Sequence, residues 1–344
     1  MRAIRGALAL IAMGTVAACA TVPVMGDPAV DVAALAETVP VGTTNEDAAD
    51  DPAIWRNAAN PAASLIVGTD KKAGLHVYAL DGSQKSFLGA GLLNNVDLVE
   101  LADGTILVAA SDRTDPQTAH VMLAELDGSS GVLTEIGRYP VGPDEGYGLC
   151  MAQPDADGRV RVFSPVKDGS VVLTELRRGE TGWQAQSRQL HKLATQPEGC
   201  VHDARTDMLY VGEENTGIWA FDLSASSEPE LVAAIDNAQL VADVEGLALA
   251  PEGEDGGYLV ASSQGDNAYA VFRLPDLQPV GRFRIAAGTF GATEETDGIA
   301  LDNRSFGATY PDGLFVAQDG INGAAAQNFK YASWAEVKTA LQLP

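Results

Sequence analysis

The sequence predicts an all-β chain folded as a six-bladed β-propeller, and three observations predict it. An acidic residue stands before, or at the head of, a short apolar run six times: at Asp51, Asp97, Glu145, Glu198, Glu245 and Asp297, with spacings of 46, 48, 53, 47 and 52 residues. A second apolar stretch ending in a polar or charged residue follows in each repeat, and in most repeats a third. Helical periodicity is almost absent. Several short strands in each repeat of about 40–50 residues are the mark of propeller blades. One Glu-Gly or Asp-Gly pair is an ordinary turn; six acid-led runs in one phase are a repeat.

Taken in order, Arg2 and Arg5 precede an apolar run from Ala7 to Ala18, too short to span a bilayer and laid out as an export signal. It ends Val16-Ala17-Ala18-Cys19, the pattern of a bacterial lipoprotein processing site, with acylation expected at Cys19. Residues 1–18 are thus a signal segment and residues 19–41, rich in small residues without a period, a tether; residues 42–344 form one propeller domain. The localisation that follows is the cell envelope, through a lipid anchor, or alternatively a secreted soluble form. Blade one opens on Glu46-Asp47-Ala48-Ala49-Asp50-Asp51-Pro52-Ala53-Ile54-Trp55. Pro52 cannot donate a ladder hydrogen bond and belongs at a strand's start, which leaves Asp50 and Asp51 at its mouth. Second strands are read at Leu65–Asp70, Ile106–Asp112, Val160–Phe163, Leu209–Glu214, Tyr258–Gln264 and Leu314–Asp319. The sixth repeat is the least regular. Closure is expected from an N-terminal strand that completes a C-terminal blade, with Phe329 and Trp334 at the seam.

The formal charge of −25, from 22 basic and 47 acidic side chains, argues against nucleic acid, which needs cationic surface. Carboxylates converging on one channel repel: a pair about 4 Å apart costs about 4 kcal/mol at an effective dielectric of 20. Such a ring needs cations, and flexible all-oxygen sites suit Ca²⁺ better than Mg²⁺. The four histidines show no zinc spacing, and there is neither a Ser-centred hydrolase elbow nor a phosphate-binding Walker loop. Cys150 and Cys200 occupy matching places in successive repeats; export permits a disulfide between them, and two buried thiols are the other reading. Basic residues are few, yet Lys71-Lys72, Arg113 and Lys167 follow the second strand in three successive repeats. Cations in register beside an acid ring form an anion-binding arc suited to a phosphate ester.

Asp50-Asp51-Pro52-Ala53-Ile54-Trp55, Lys71-Lys72-Ala73-Gly74-Leu75, Asn94-Asn95-Val96-Asp97, Asp243-Val244-Glu245-Gly246-Leu247, Ala261-Ser262-Ser263-Gln264-Gly265, Thr296-Asp297-Gly298-Ile299 and Gln327-Asn328-Phe329-Lys330 resemble the β-propeller phytases, the calcium-dependent alkaline phytases of bacteria. The likeness runs from about Glu37 to Trp334. It implies a phosphoric monoester hydrolase of 3-phytase type that releases phosphate from myo-inositol hexakisphosphate, taken as its calcium complex, and acts as a monomer. Carried over by motif, the calcium ligands are Asp50, Asp51, Glu198, Glu214, Asp243, Glu245, Asp297 and Asp319, and the phosphate ligands are Lys71, Lys72, Arg113, Tyr147 and Lys167. Catalysis falls to Glu198, Glu214, Asp243 and Glu245 with Lys71, Arg113 and Lys167. Asp168 and Asp319 depart from the family pattern, and the loop 288–295 carries fewer aspartates. A calcium-dependent propeller lactonase or phosphotriesterase, or a non-catalytic cell-envelope binding propeller, is the alternative.

Overall fold

The apolar second stretch of each repeat becomes a strand buried on both faces. In Leu65–Asp70, Ile66 enters the core on one side and Val67 the core on the other. In Ile106–Asp112, Leu107 and Val108 divide in the same way. A strand covered on both faces reads as a continuous apolar run rather than an alternation. The structure, a computed structural model, describes residues 24–225 and 227–344. The expected signal segment and Cys19 lie outside the described residues.

Six antiparallel sheets follow in chain order, the six blades of a propeller. Their innermost strands are Ala49–Trp55, Leu93–Glu100, Cys150–Met151, Pro197–Asp203, Val244–Glu252 and Ile299–Asp302. Each touches the next, and the last touches the first, so the ring closes around a central channel. Six wedges of apolar side chains fill the spaces between blades.

Within residues 24–41, the described part of the stretch expected as a tether, two short strands form. β1 (Val30–Ala33) adds a fifth strand to blade five, parallel to Gln278–Ala286. β2 (Ala36–Glu37) pairs with Asn328–Ser333 and supplies the outermost strand of blade six. Each strand is too short for its alternation to stand out in the sequence, and both are held by edges built about 250–290 residues later. Closure thus takes the expected form. Phe329 packs in the wedge between blades six and one, where its ring covers Gly68; a Cβ on that glycine would lie 2.4 Å from Phe329 Cε2. Trp334 instead opens the C-terminal helix α1 (Trp334–Leu341) and faces blade five, its ring centroid 6.2 Å from that of Tyr258.

The seam is also ionic. Lys330 is fully buried, paired with Glu37 of β2, 3.1 Å from Asp319 and 3.2 Å from Asn328 Oδ1. Replacing Lys330 with Met leaves Asp319 buried without its ammonium. Removing one partner of a buried pair costs about 3–5 kcal/mol. The urea midpoint of Lys330→Met should fall accordingly in chelator, and an unchanged midpoint would show that this network does not hold the seam.

Candidate active site

Five of the six innermost strands slip by one residue against their neighbour at the same height. The register shifts between Ala49 and Pro52, Leu93 and Val96, Pro197 and Cys200, and Val244 and Leu247. Blade three does the same between the Gly146–Val166 bridge and the Cys150–Phe163 pair. Such bulges re-aim side chains. The residues leading the slip are Asp50, Asn94, Tyr147, Glu198 and Glu245, and Asp297 stands at that level in blade six. This corrects the sequence alignment in three repeats. Asp50, Asn94 and Tyr147, not Asp51, Asp97 and Glu145, are equivalent to the acids of the other blades. Asp97 lies lower and accepts from Met151 N at 2.7 Å; Glu145 pairs with Arg113 and lies 3.6 Å from Lys167.

The next residue is glycine in four blades, and the reason is room. A Cβ on Gly148 would lie 1.9 Å from the carbonyl oxygen of Glu198, one on Gly199 2.1 Å from that of Glu245, and one on Gly298 2.7 Å from that of Asp50. One blade's glycine thus seats the next blade's acid. In blade one the place belongs to Asp51, whose Oδ2 accepts from Val96 N at 3.0 Å.

Asp50, Tyr147, Glu198, Glu245 and Asp297 line a cavity of about 1360 Å³ at the channel mouth, with Glu214 and Asp243. Carboxylate oxygens of Glu198, Glu214 and Glu245 all lie within 4.8 Å of one another. Burial pushes the carboxyls of Glu214 and Asp243 up, and burial with neighbouring acids pushes Glu245 well above its ordinary range. Burial, and then Asp50, raises Glu198 to about 7. Burial also raises Asp50 and Asp297, against the opposing pull of Lys71. Asp50 Oδ2 and Glu245 Oε2 are buried without a hydrogen-bond partner. Crowded, underbonded, all-oxygen donors fit a hard divalent cation.

The residues just past the ends of the second strands are also equivalent: Lys71, Arg113, Lys167, Glu214, Gln264 and Gly320. Blades one to three therefore carry cations, and blades four to six an acid, an amide and a glycine. Lys71 Nζ lies 2.8 Å from Asp47, 3.3 Å from Asp50 and 3.2 Å from Asp297. Burial pulls its pKa down, but these acids outweigh burial and hold it well above the ordinary value. Arg113 and Lys167 stand over the ring of Tyr147 at 5.6 and 5.4 Å. Exposed Lys72 lies 4.0 Å from Glu46; Lys72, Arg113 and Lys167 are not among the residues that line the cavity, whereas Lys71 and Tyr147 are. Asp51 opens to a separate cavity at the other end of the channel, and burial, then Asp50, pushes its carboxyl well up. Asp319 sits in the Lys330 network, not at the mouth. Cys150 and Cys200 are joined as a disulfide, their Cα atoms 5.6 Å apart, tying the innermost strands of blades three and four. Sequence reading passed over Asp47, Gln264, which donates to Asp297, and Asn94. Only the register of the bulge could have singled out Asn94.

The raised Glu198 carboxyl has a consequence for the cation-free protein. It stays protonated in the fold up to about pH 7, while in the unfolded chain it ionises near 4.5. Its contribution is therefore complete below pH 4.5 and is lost as pH rises through about 7, by roughly 3 kcal/mol. Denaturant unfolding in chelator should show this decline, and Glu198→Gln should make it shallower. An identical slope in both proteins would place the titration elsewhere.

Comparison with known proteins identifies the family. The family model described as phytase matches residues 2–343. A curated relative, the 3-phytase of Bacillus subtilis (strain 168), is 36% identical over 324 residues, covering 89% of this chain and 84% of the relative. With that match spanning nearly its whole length, the chain belongs to the phytase family.

Proposed function

We infer that this chain is a phytase that hydrolyses phosphomonoesters of myo-inositol hexakisphosphate, with Ca²⁺ held at the channel mouth. The carrying observation is that Lys71, Arg113 and Lys167 fall at one level on consecutive blades, Lys71 in the lining of the mouth and the other two against Tyr147 at its edge, facing a carboxylate half. A polyanionic ester can engage both halves only if cations screen the second. Glu198, Glu214, Asp243, Glu245, Asp50 and Asp297 are the residues that would hold calcium at the mouth, with Asp51 below them in the channel. Asp319 lies apart from them, 3.1 Å from Lys330, and its Oδ2 has no hydrogen-bond partner. When bound, calcium supplies charge neutralisation and Lewis-acid activation of water.

The chain's own residues account for the rest. Water attacks phosphorus in line, the P–O bond to the inositol oxygen breaks, and that oxygen leaves as the hydroxyl with the proton that the water gives up. Charge spread over the equatorial oxygens meets the Arg113 fork and the Lys71 and Lys167 ammonium groups. Burial and the acids around it keep the Tyr147 hydroxyl protonated, which leaves it a donor for a phosphate oxygen. A lactonase built on one central metal would leave the Arg113–Tyr147–Lys167 group without a task. Export as a cell-envelope lipoprotein acylated at Cys19, and action as a monomer, complete the reading; the Arg2–Cys19 stretch supports export.

Phosphate release from phytate, measured with calcium and with chelator, tests the function. Activity should vanish in chelator, and survival there would overturn the calcium assignment. Arg113→Ala or Lys167→Ala should cost about 2–4 kcal/mol in kcat/KM; wild-type rates in both would reduce the arc to solvated surface. Asp243→Asn combined with Glu245→Gln should abolish activity yet raise the melting temperature in chelator, because like charges are removed. A lower melting temperature would make these acids hydrogen-bonding struts.

A further inference from the structure

Of the six equivalent residues at the level of the bulges, five line the mouth; Asn94 does not. It is buried behind the wall, 1% exposed, and its amide reaches both halves of the site. Arg113 Nη1 donates to Asn94 Oδ1 at 2.6 Å, and Asn94 Nδ2 donates to Glu198 Oε1 at 2.7 Å. Arg113 is otherwise held by Glu145 and the face of Tyr147.

We propose that Asn94 is a positioning residue for phosphomonoester hydrolysis, fixing the Arg113 guanidinium and the Glu198 carboxylate relative to one another; this rests on the function inferred above. A carboxylate here, as in blades one, four, five and six, would pair with Arg113 and set another negative charge against Glu198. An apolar side chain would strip a donor from buried Glu198 and leave Arg113 free to swing onto it. That direct ion pair would withdraw both groups from the substrate. An amide is neutral, accepts from one group and donates to the other. Groups that orient a ligand in this way typically change affinity or activity by about 10–100-fold when lost.

The test uses the full chain with Asn94→Ala, alone and combined with Arg113→Ala. Asn94→Ser, polar but too short to bridge, replaces Asn94→Ala if that variant does not fold. Asn94→Ala should lower kcat about 10–100-fold with a smaller change in KM. In its background Arg113→Ala should cost at least about fivefold less than in the wild type, since the guanidinium is no longer aimed. Calorimetric titration with CaCl₂ alone should show affinity weakened by about tenfold at the site Glu198 serves. Effects of the two substitutions that simply multiply, or calcium affinity within about twofold of wild type, would overturn the proposal. If wild-type protein released no phosphate from phytate, the inferred function would fall, and the calcium titration would still decide the role of Asn94.

Discussion

Like charge buried in a narrow mouth is the constraint to which the rest of this structure answers. Asp50, Glu198, Glu245 and Asp297 project from four blades into one space, and burial and proximity raise the pKa of each. Two carboxylates about 4 Å apart repel by about 4 kcal/mol at an effective dielectric of 20. A fold that holds several of them must draw its stability elsewhere, and it does so from six apolar wedges between blades. The one internal ammonium among these acids, Lys71, offsets only part of the repulsion. The remainder is the electrostatic drive for taking up cations.

The acids reach that space by a backbone device repeated around the ring. A one-residue slip turns the leading side chain toward the channel, and the residue after it, glycine in four blades, lets the neighbouring carbonyl approach within a distance no Cβ allows. The resulting near-sixfold symmetry is chemically broken. Tyr147 and Asn94 interrupt the acid ring in blades three and two, and those blades bring Arg113 and Lys167. The disulfide between Cys150 and Cys200 crosses the boundary where the cationic half gives way to the acidic one.

Closing a ring of blades demands a join between distant parts of the chain. Here β2 pairs with the strand Asn328–Ser333, and Lys330 within that strand binds Glu37 and Asp319 at the join. A lysine fully buried between two acids performs in the seam the neutralising task that the mouth leaves to cations. Asp319 thus also stands in the closure of the ring, beside Lys330.

Blade number, the acid-led strands and the cationic phase of Lys71, Arg113 and Lys167 were legible because each depends on local order repeated at a fixed interval. Glu198, Glu245 and Asp297 could be chosen for the same reason: the residue after each is a glycine, and an apolar strand follows. Asn94 and Tyr147 could not, because equivalence between blades is set by where a strand slips against its neighbour. That slip is a property of pairing, which a one-dimensional count of spacings places a few residues away, on Asp97 and Glu145. Strands β1 and β2 were hidden likewise, since segments of four and two residues acquire their structure from edges that the far end of the chain provides. The partners of Asp319 and Lys330 were decided only there too. The sequence by itself determined which chemistry each repeat carries; the tertiary structure decided which of those groups share a space, because distance across the channel depends on ring closure and strand register.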